Sequence, residues 1–186
     1  MPAPFLPEFL SDRLCAERWP FIADLARLER AILDVFHAAD APAPGVEALR
    51  AVPSEEWPAL RLRTHPAVEI VDSEWRVANI LRAIEQGQEW KDPTPEKASV
   101  LVWRQNAQVH YRDLELPERD ALTVVSRGAS LATICDAVAA AAEEPEHLAQ
   151  IGRLLARWLA DGIIVSVDDV TSRTFRNSAS PSEARK

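Results

Sequence analysis

The chain is poor in the residues from which metal, redox and phosphate sites are built. Its 186 residues include 2 cysteines, 5 glycines and 4 histidines. Cys15 and Cys135 stand apart with no CxxC spacing, and Cys135 falls on the expected buried stripe of a helix, so no structural disulfide is expected. The glycines are ungrouped, which excludes a glycine-rich loop around a phosphate, and neither a GxSxG elbow nor an SxxK pair occurs. His37, His65, His110 and His147 are far apart, with no HxH or HExxH spacing and no carboxylate at ligand spacing, so no metal site is legible. A self-contained active site is not expected.

Long apolar runs are also missing. None approaches the roughly 20 residues that span a bilayer, and the N-terminus shows no basic stretch leading into an apolar core and cleavage site. No membrane contact is expected, and the bacterial cytoplasm is the expected location. Positive charge is scarce: 21 basic against 29 acidic residues leave a formal charge of −8. Because phosphate neutralisation supplies most non-specific DNA affinity, this balance weighs against a nucleic-acid ligand without excluding a local basic face.

What is abundant is apolar surface, 47% of the residues, enough for one domain or two small ones with a genuine core. After a proline-rich start, the short amphipathic stretch Phe9 to Arg18 reads as a docking segment. From Pro20, apolar residues Leu25, Leu28, Ile32 and Val35 or Phe36 recur at helical spacing, predicting a helix to about Ala39 that Pro42 and Pro44 stop. A short helix is expected at Val46 to Ala51. Leu60 to Arg63 and Val68 to Val71 read as strands, Trp75 to Glu85 as a helix, and Gln86 to Lys97 as a loop. Ser99 to Trp103 and Gln108 to Leu114 flank Arg104 to Ala107 as a hairpin.

The last third carries the strongest pattern. Pro117 to Arg127, Ser130 to Ala142 and Pro145 to Ala160 read as three helices, closed by a strand from Gly162 to Val165. That order is a winged helix-turn-helix, a scaffold that serves both DNA and peptide ligands. Leu131, Ile134, Cys135 and Val138 form one core stripe, and Leu148, Ile151, Leu154, Leu155, Trp158 and Leu159 another. The expected fold class is α+β: N-terminal helices, a small mixed or antiparallel sheet, and a C-terminal winged helix-turn-helix-like element. The expected division is residues 1–95, 96–170 and a disordered, serine- and arginine-rich tail at 171–186.

Two ligands compete for this scaffold. The third helix of the trio would enter a DNA groove, but its start reads Glu143, Glu144, Pro145, Glu146, three carboxylates facing a polyanion. The same acids suit a helix N-terminus on dipole grounds alone. Arg153 and Arg157, four apart, would meet phosphates, a carboxylate-bearing peptide or solvent. In the alternative, an extended peptide adds to a sheet edge at Gln108 to Asp113, beside a helix wall at Leu148 to Trp158. Gln108, His110 and Arg112 then share one side of the strand, and Val109 and Tyr111 the other, the alternation of any half-buried strand.

Four ordered segments carry a family resemblance. Phe21-Ile22-Ala23-Asp24-Leu25-Ala26-Arg27-Leu28-Glu29-Arg30-Ala31, Phe36-His37-Ala38-Ala39-Asp40-Ala41-Pro42, Leu60-Arg61-Leu62-Arg63-Thr64-His65-Pro66 and Leu101-Val102-Trp103-Arg104 resemble the HvfC/BufC family. Its members look like partner proteins of multinuclear non-heme iron oxidases that modify ribosomally made peptides. The resemblance, spanning about Phe21 to Val165, implies a non-catalytic accessory subunit with a peptide-recognition element that holds the leader of a precursor peptide. Iron and chemistry would belong to the partner oxidase, with no cofactor in this chain. Relatives often carry a further helical domain, labelled DNA-binding, upstream; most of it is expected to be missing here, where only Phe5 to Trp19 precedes the matched segments.

On that reading Gln108, His110, Arg112, Arg153 and Arg157 are the expected peptide contacts. Trp19, Trp57, Trp75 and Trp90 lie in or beside irregular segments, as interface anchors or as core. The alternatives are a winged-helix regulator, with Arg153, Arg157 and the basic tail on duplex DNA, and a structural adaptor with neither ligand.

Overall fold

The computed structural model describes residues 15–42, 50, 52–139 and 146–168. In chain order the elements are α1 (Cys15–Arg18), α2 (Ile22–His37), a 3-10 helix (Ser54–Ala59), β1 (Arg61–Thr64), β2 (Val68–Trp75), α3 (Ala78–Glu85), β3 (Pro95–Gln105), β4 (Gln108–Leu114), α4 (Leu116–Ser126), α5 (Leu131–Ala139), α6 (Glu146–Ala160) and β5 (Ile164–Asp168). The fold is α+β, with two small antiparallel sheets among the described residues. It forms two compact units: Met1–Asp40 with Pro66–Arg119, and Ala41–His65 with Asp120–Lys186.

The first unit is built on the antiparallel sheet β2-β3-β4. Residues two apart on a strand share a face, and the registers Val71↔Val100 and Val102↔Tyr111 line up a branched apolar surface. Leu25, Leu28, Ala31 and Val35 recur at helical spacing along α2 and pack onto it, with Val109 and Tyr111 of β4 at its margin. Helix α2 lies against β2 and β3 and reaches β4; α3 lies against β4 and α2.

Both ends of α2 are held by side chains. Buried Asp24, in its first turn, pairs with Arg27 and accepts the Glu74 amide at 2.8 Å, tying the helix start to the end of β2. At the other end Arg104 of β3 donates to the carbonyls of Val35 (3.0 Å), Phe36 and Ala38 (2.7 Å) and to Asp40 Oδ1 (2.7 Å). The helix therefore stops at His37, ahead of the expected end at Ala39, because an arginine fork takes carbonyls that the next turn would have used.

The second unit pairs β1 with β5 antiparallel, with a further bridge between Arg61 and Ser130. Leu62, Leu122, Ile134, Trp158 and Ile163 are among its fully buried side chains. Helix α6 ends in a Schellman pattern: Gly162 has φ 70°, its amide meets Leu159 O at 3.2 Å, and the Ile163 amide meets Trp158 O at 2.8 Å. Ile151, Leu155, Trp158 and Leu159 are buried as the stripe predicts, whereas Leu154 and Cys135 are only half-buried.

Several boundaries differ from expectation. A division at residues 95 and 96 would cut β3 at its first residue and part it from β2, to which it is hydrogen-bonded; the chain instead interleaves its units, sending residues 41–65 to join the C-terminal helices. Strand β2 runs to Trp75, which was expected to open a helix, and α3 begins three residues later. Strand β3 begins at Pro95, inside the expected loop, since proline is tolerated as the first residue of a strand. The expected helix at Val46 to Ala51, the segment before Cys15 and the tail at 171–186 lie outside the described residues, apart from Arg50.

Candidate functional site

A three-stranded sheet has two edges, and the two here are unlike. Strand β2 carries a register shift between Ser73 and Trp75, the acids Glu69, Asp72 and Glu74, and an amide at Glu74 already donated to Asp24. Bulges and charges are the devices that keep a strand edge from pairing. Strand β4 has seven residues, a regular register, and neither proline nor lysine.

The hairpin sets which groups of β4 point outward. Asn106 and Ala107 both have positive φ, 50° and 63°, as a two-residue type I′ turn requires. The closing pair Gln105↔Gln108 of such a turn is hydrogen-bonded, so Arg104↔Val109, Val102↔Tyr111 and Val100↔Asp113 are the alternating pairs that face away from each other. The Arg104 amide confirms this phase, since it donates to Ala67 O at 3.0 Å, away from β4. The main-chain groups of Val109, Tyr111 and Asp113 thus face the open edge, and no described strand pairs with them.

Of the expected peptide contacts, Gln108, His110 and Arg112 lie together on β4, on the face opposite α2. Gln108 is exposed. His110 stacks on Trp103 with ring centroids 5.4 Å apart. Arg112 is not a free cation: it sits 5.8 Å over the Trp103 ring and is paired through both Nη atoms with Glu118. The Nε groups of Arg112 and Trp103 are buried without a described partner. Arg153 and Arg157 fall in the second unit, both exposed on α6, with Arg157 3.6 Å from Asp161. The expected wall, Leu148 to Trp158, belongs to that unit as well.

Within the first unit a different helix flanks β4. Arg82 of α3 reaches Asp113 at 2.9 Å and Asn79 at 2.7 Å, and lies 5.7 Å from the centroid of Tyr111. The Tyr111 hydroxyl donates to Glu85 at 2.7 Å, and burial, followed by that carboxylate, pushes its ionisation above the ordinary range. The phenol therefore stays a neutral donor. Sequence reading missed Arg82, Glu85 and Asp113; the one available signal was the i, i+3 spacing of Arg82 and Glu85 on a helix whose buried positions are Ala78 and Ile80.

Trp19, Trp75 and Trp90 fall in the first unit and Trp57 in the second. Trp75 and Trp90 both meet Phe21 edge-on, at 6.3 and 5.9 Å, and Trp75 packs on the core. Trp19 is exposed under Arg18, and Trp57, in the second unit, donates to Val52 O at 3.0 Å. Trp90 also lines a cleft of about 330 Å³ with Ile80, Ala83 and Lys91. Among the described residues no group of three His, Cys, Asp or Glu side chains is placed to hold a metal ion, and no helix is long and apolar enough to cross a membrane. No protein-family model matches the chain, and no curated protein matches it in sequence.

Proposed function

We propose that this chain is a non-catalytic accessory subunit that binds the leader of a ribosomally made precursor peptide along the open edge of β4 and presents it to a partner multinuclear iron oxidase. The observation that carries the reading is the contrast between the two sheet edges: β2 is bulged and acidic, while β4 offers the outward groups of Val109, Tyr111 and Asp113 to an added strand. Two further features support it. The sheet runs directly into α4, α5 and α6, and β1 pairs with β5 beside them, the ingredients of a winged helix-turn-helix with one strand supplied from upstream. Four sequence segments resemble the HvfC/BufC partner proteins.

The mechanism is positional. Holding the leader makes the encounter of the core peptide with the partner's metal centre nearly intramolecular, so modest affinity suffices. The test is purification of the tagged chain from its native host at moderate salt, with mass spectrometry and iron analysis of what co-elutes. An iron enzyme together with a small peptide is expected. Val109→Pro removes an outward N–H without touching the β3 pairing, and should keep the enzyme, keep the circular dichroism spectrum and lose the peptide. Recovery of duplex DNA that is lost at higher salt, with no iron protein, would replace this reading by the regulator.

A further inference from the structure

Resting on that reading, we infer that α3, through Glu85 beside Tyr111, selects a basic residue at one defined position of the added strand. In an antiparallel pair, residues directly opposite share a face, so ligand residues opposite Val109, Tyr111 and Asp113 both donate their N–H to β4 and turn their side chains toward the helix-covered face. Ligand residues between them turn to the side of His110 and Arg112.

Around Tyr111, α3 and β4 contribute one cation, Arg82, and two anions, Asp113 and Glu85. The guanidinium of Arg82 sits on Asp113 at 2.9 Å, which leaves Glu85, an exposed carboxylate, with the neutral Tyr111 hydroxyl as its partner at 2.7 Å. A carboxylate held over an outward-facing strand residue, with no described cation of its own, matches a lysine or arginine on the neighbouring strand. On the other face Arg112 and Glu118 already neutralise each other. A second copy of the chain is a poor occupant by comparison: self-pairing about Tyr111 sets His110 against Arg112, and a seven-residue edge buries well short of the roughly 1,000 Å² of a stable interface.

The two demands fall on the same ligand residues. Proline is excluded wherever an N–H must meet β4, and the basic preference lies on one of those positions, in phase with the exclusion and not between. The experiment is selection of a displayed library of random short peptides on the full chain, and on Glu85→Gln, Glu85→Lys and Val109→Pro. The wild type should yield binders with proline absent at alternate positions and Lys or Arg enriched at one of them. A selected basic peptide should bind Glu85→Gln about two- to fivefold more weakly, the scale of one exposed ion pair, and Glu85→Lys should enrich Asp or Glu at the same position while the proline phase stays. Binders with the proline phase but no charge preference, or one that ignores Glu85, or a basic position between the excluded ones, overturn the selection by α3 and leave the edge reading standing. No binders on the wild type, or binders that survive Val109→Pro, overturn the edge reading itself.

Discussion

Arg112 lays both terminal guanidinium nitrogens on the Glu118 carboxylate, at 2.8 and 2.5 Å, with 15% and 8% of the two side chains exposed. A bidentate pair this deeply buried is costly to break from one side, because the surviving charge is left in low dielectric without a counter-ion. Glu118→Ala is expected to lower stability by about 3–5 kcal/mol in chemical unfolding. Replacing both residues together by leucine or methionine should recover most of that loss. If the single and double variants are equally unstable, the pair is not what holds β4 to the start of α4.

Arg104 closes α2 by a shape that lysine does not share. Its fork reaches three carbonyls and Asp40 from a side chain only 11% exposed, while Asp40 itself is 94% exposed. Arg104→Lys keeps the charge and loses the planar array of donors, so a loss of roughly 1.5–3 kcal/mol is expected, the scale of one or two hydrogen bonds to a charged group. Asp40→Ala should cost well under about 1 kcal/mol, since that contact lies in water. Equal losses in the two variants would place the effect in the ion pair and not in the cap.

The turn between β3 and β4 holds a residue poorly suited to it. Ala107 has φ 63°, where its Cβ crowds the backbone, and Asn106 beside it tolerates φ 50° because its short polar side chain compensates locally. Ala107→Gly should stabilise the first unit by about 1 kcal/mol. Thermal melts of the two proteins check it, and an unchanged or lower midpoint would show that the turn relaxes without penalty.

How far these features could be read from sequence depended on whether a periodic signal was involved. Leu25, Leu28 and Val35 marked α2, Gln108 to Leu114 marked β4 with its correct alternation, and the three C-terminal helices were each placed within a few residues. Failures came where tertiary partners decide the outcome. The end of α2 depends on Arg104, distant in sequence, and β3 extends back to Pro95 because β2 is there to pair with it. The joining of residues 41–65 to the C-terminal helices left no local trace, since β1 is four residues whose partner comes about a hundred positions later. At the site, β4 was legible as a strand, but the expected peptide contact Arg112 is paired with Glu118, and the α3 residues that flank it were invisible because charged residues on a helix surface usually signify only solvent.

Two carboxylates of β2 pull the acid stability of the first unit in opposite directions. Asp72 accepts from Arg119 Nη2 at 2.7 Å and from Ser99 Oγ at 2.6 Å, and the Arg119 hydrogen bond, against some desolvation, holds its ionisation below the ordinary 3.8. A carboxyl with a depressed folded value stabilises above its unfolded value, and that contribution is lost as pH falls through the folded one. Glu69 is the reverse: burial first, and Asp34 second, raise it above the ordinary 4.5 despite Arg30. Its charge opposes folding at neutral pH, and the penalty is relieved as pH falls through its raised value. Glu69→Gln should therefore stabilise the protein at neutral pH by about half a kcal/mol, the scale of an exposed charge interaction, and the advantage should vanish once both forms of Glu69 are protonated. Asp72→Asn should cost stability at neutral pH and flatten the decline at lower pH. Urea unfolding of the wild type and the two variants, followed from neutral pH to about pH 3, separates them; a Glu69→Gln advantage that persists to the acid end would place its origin in packing and not in charge.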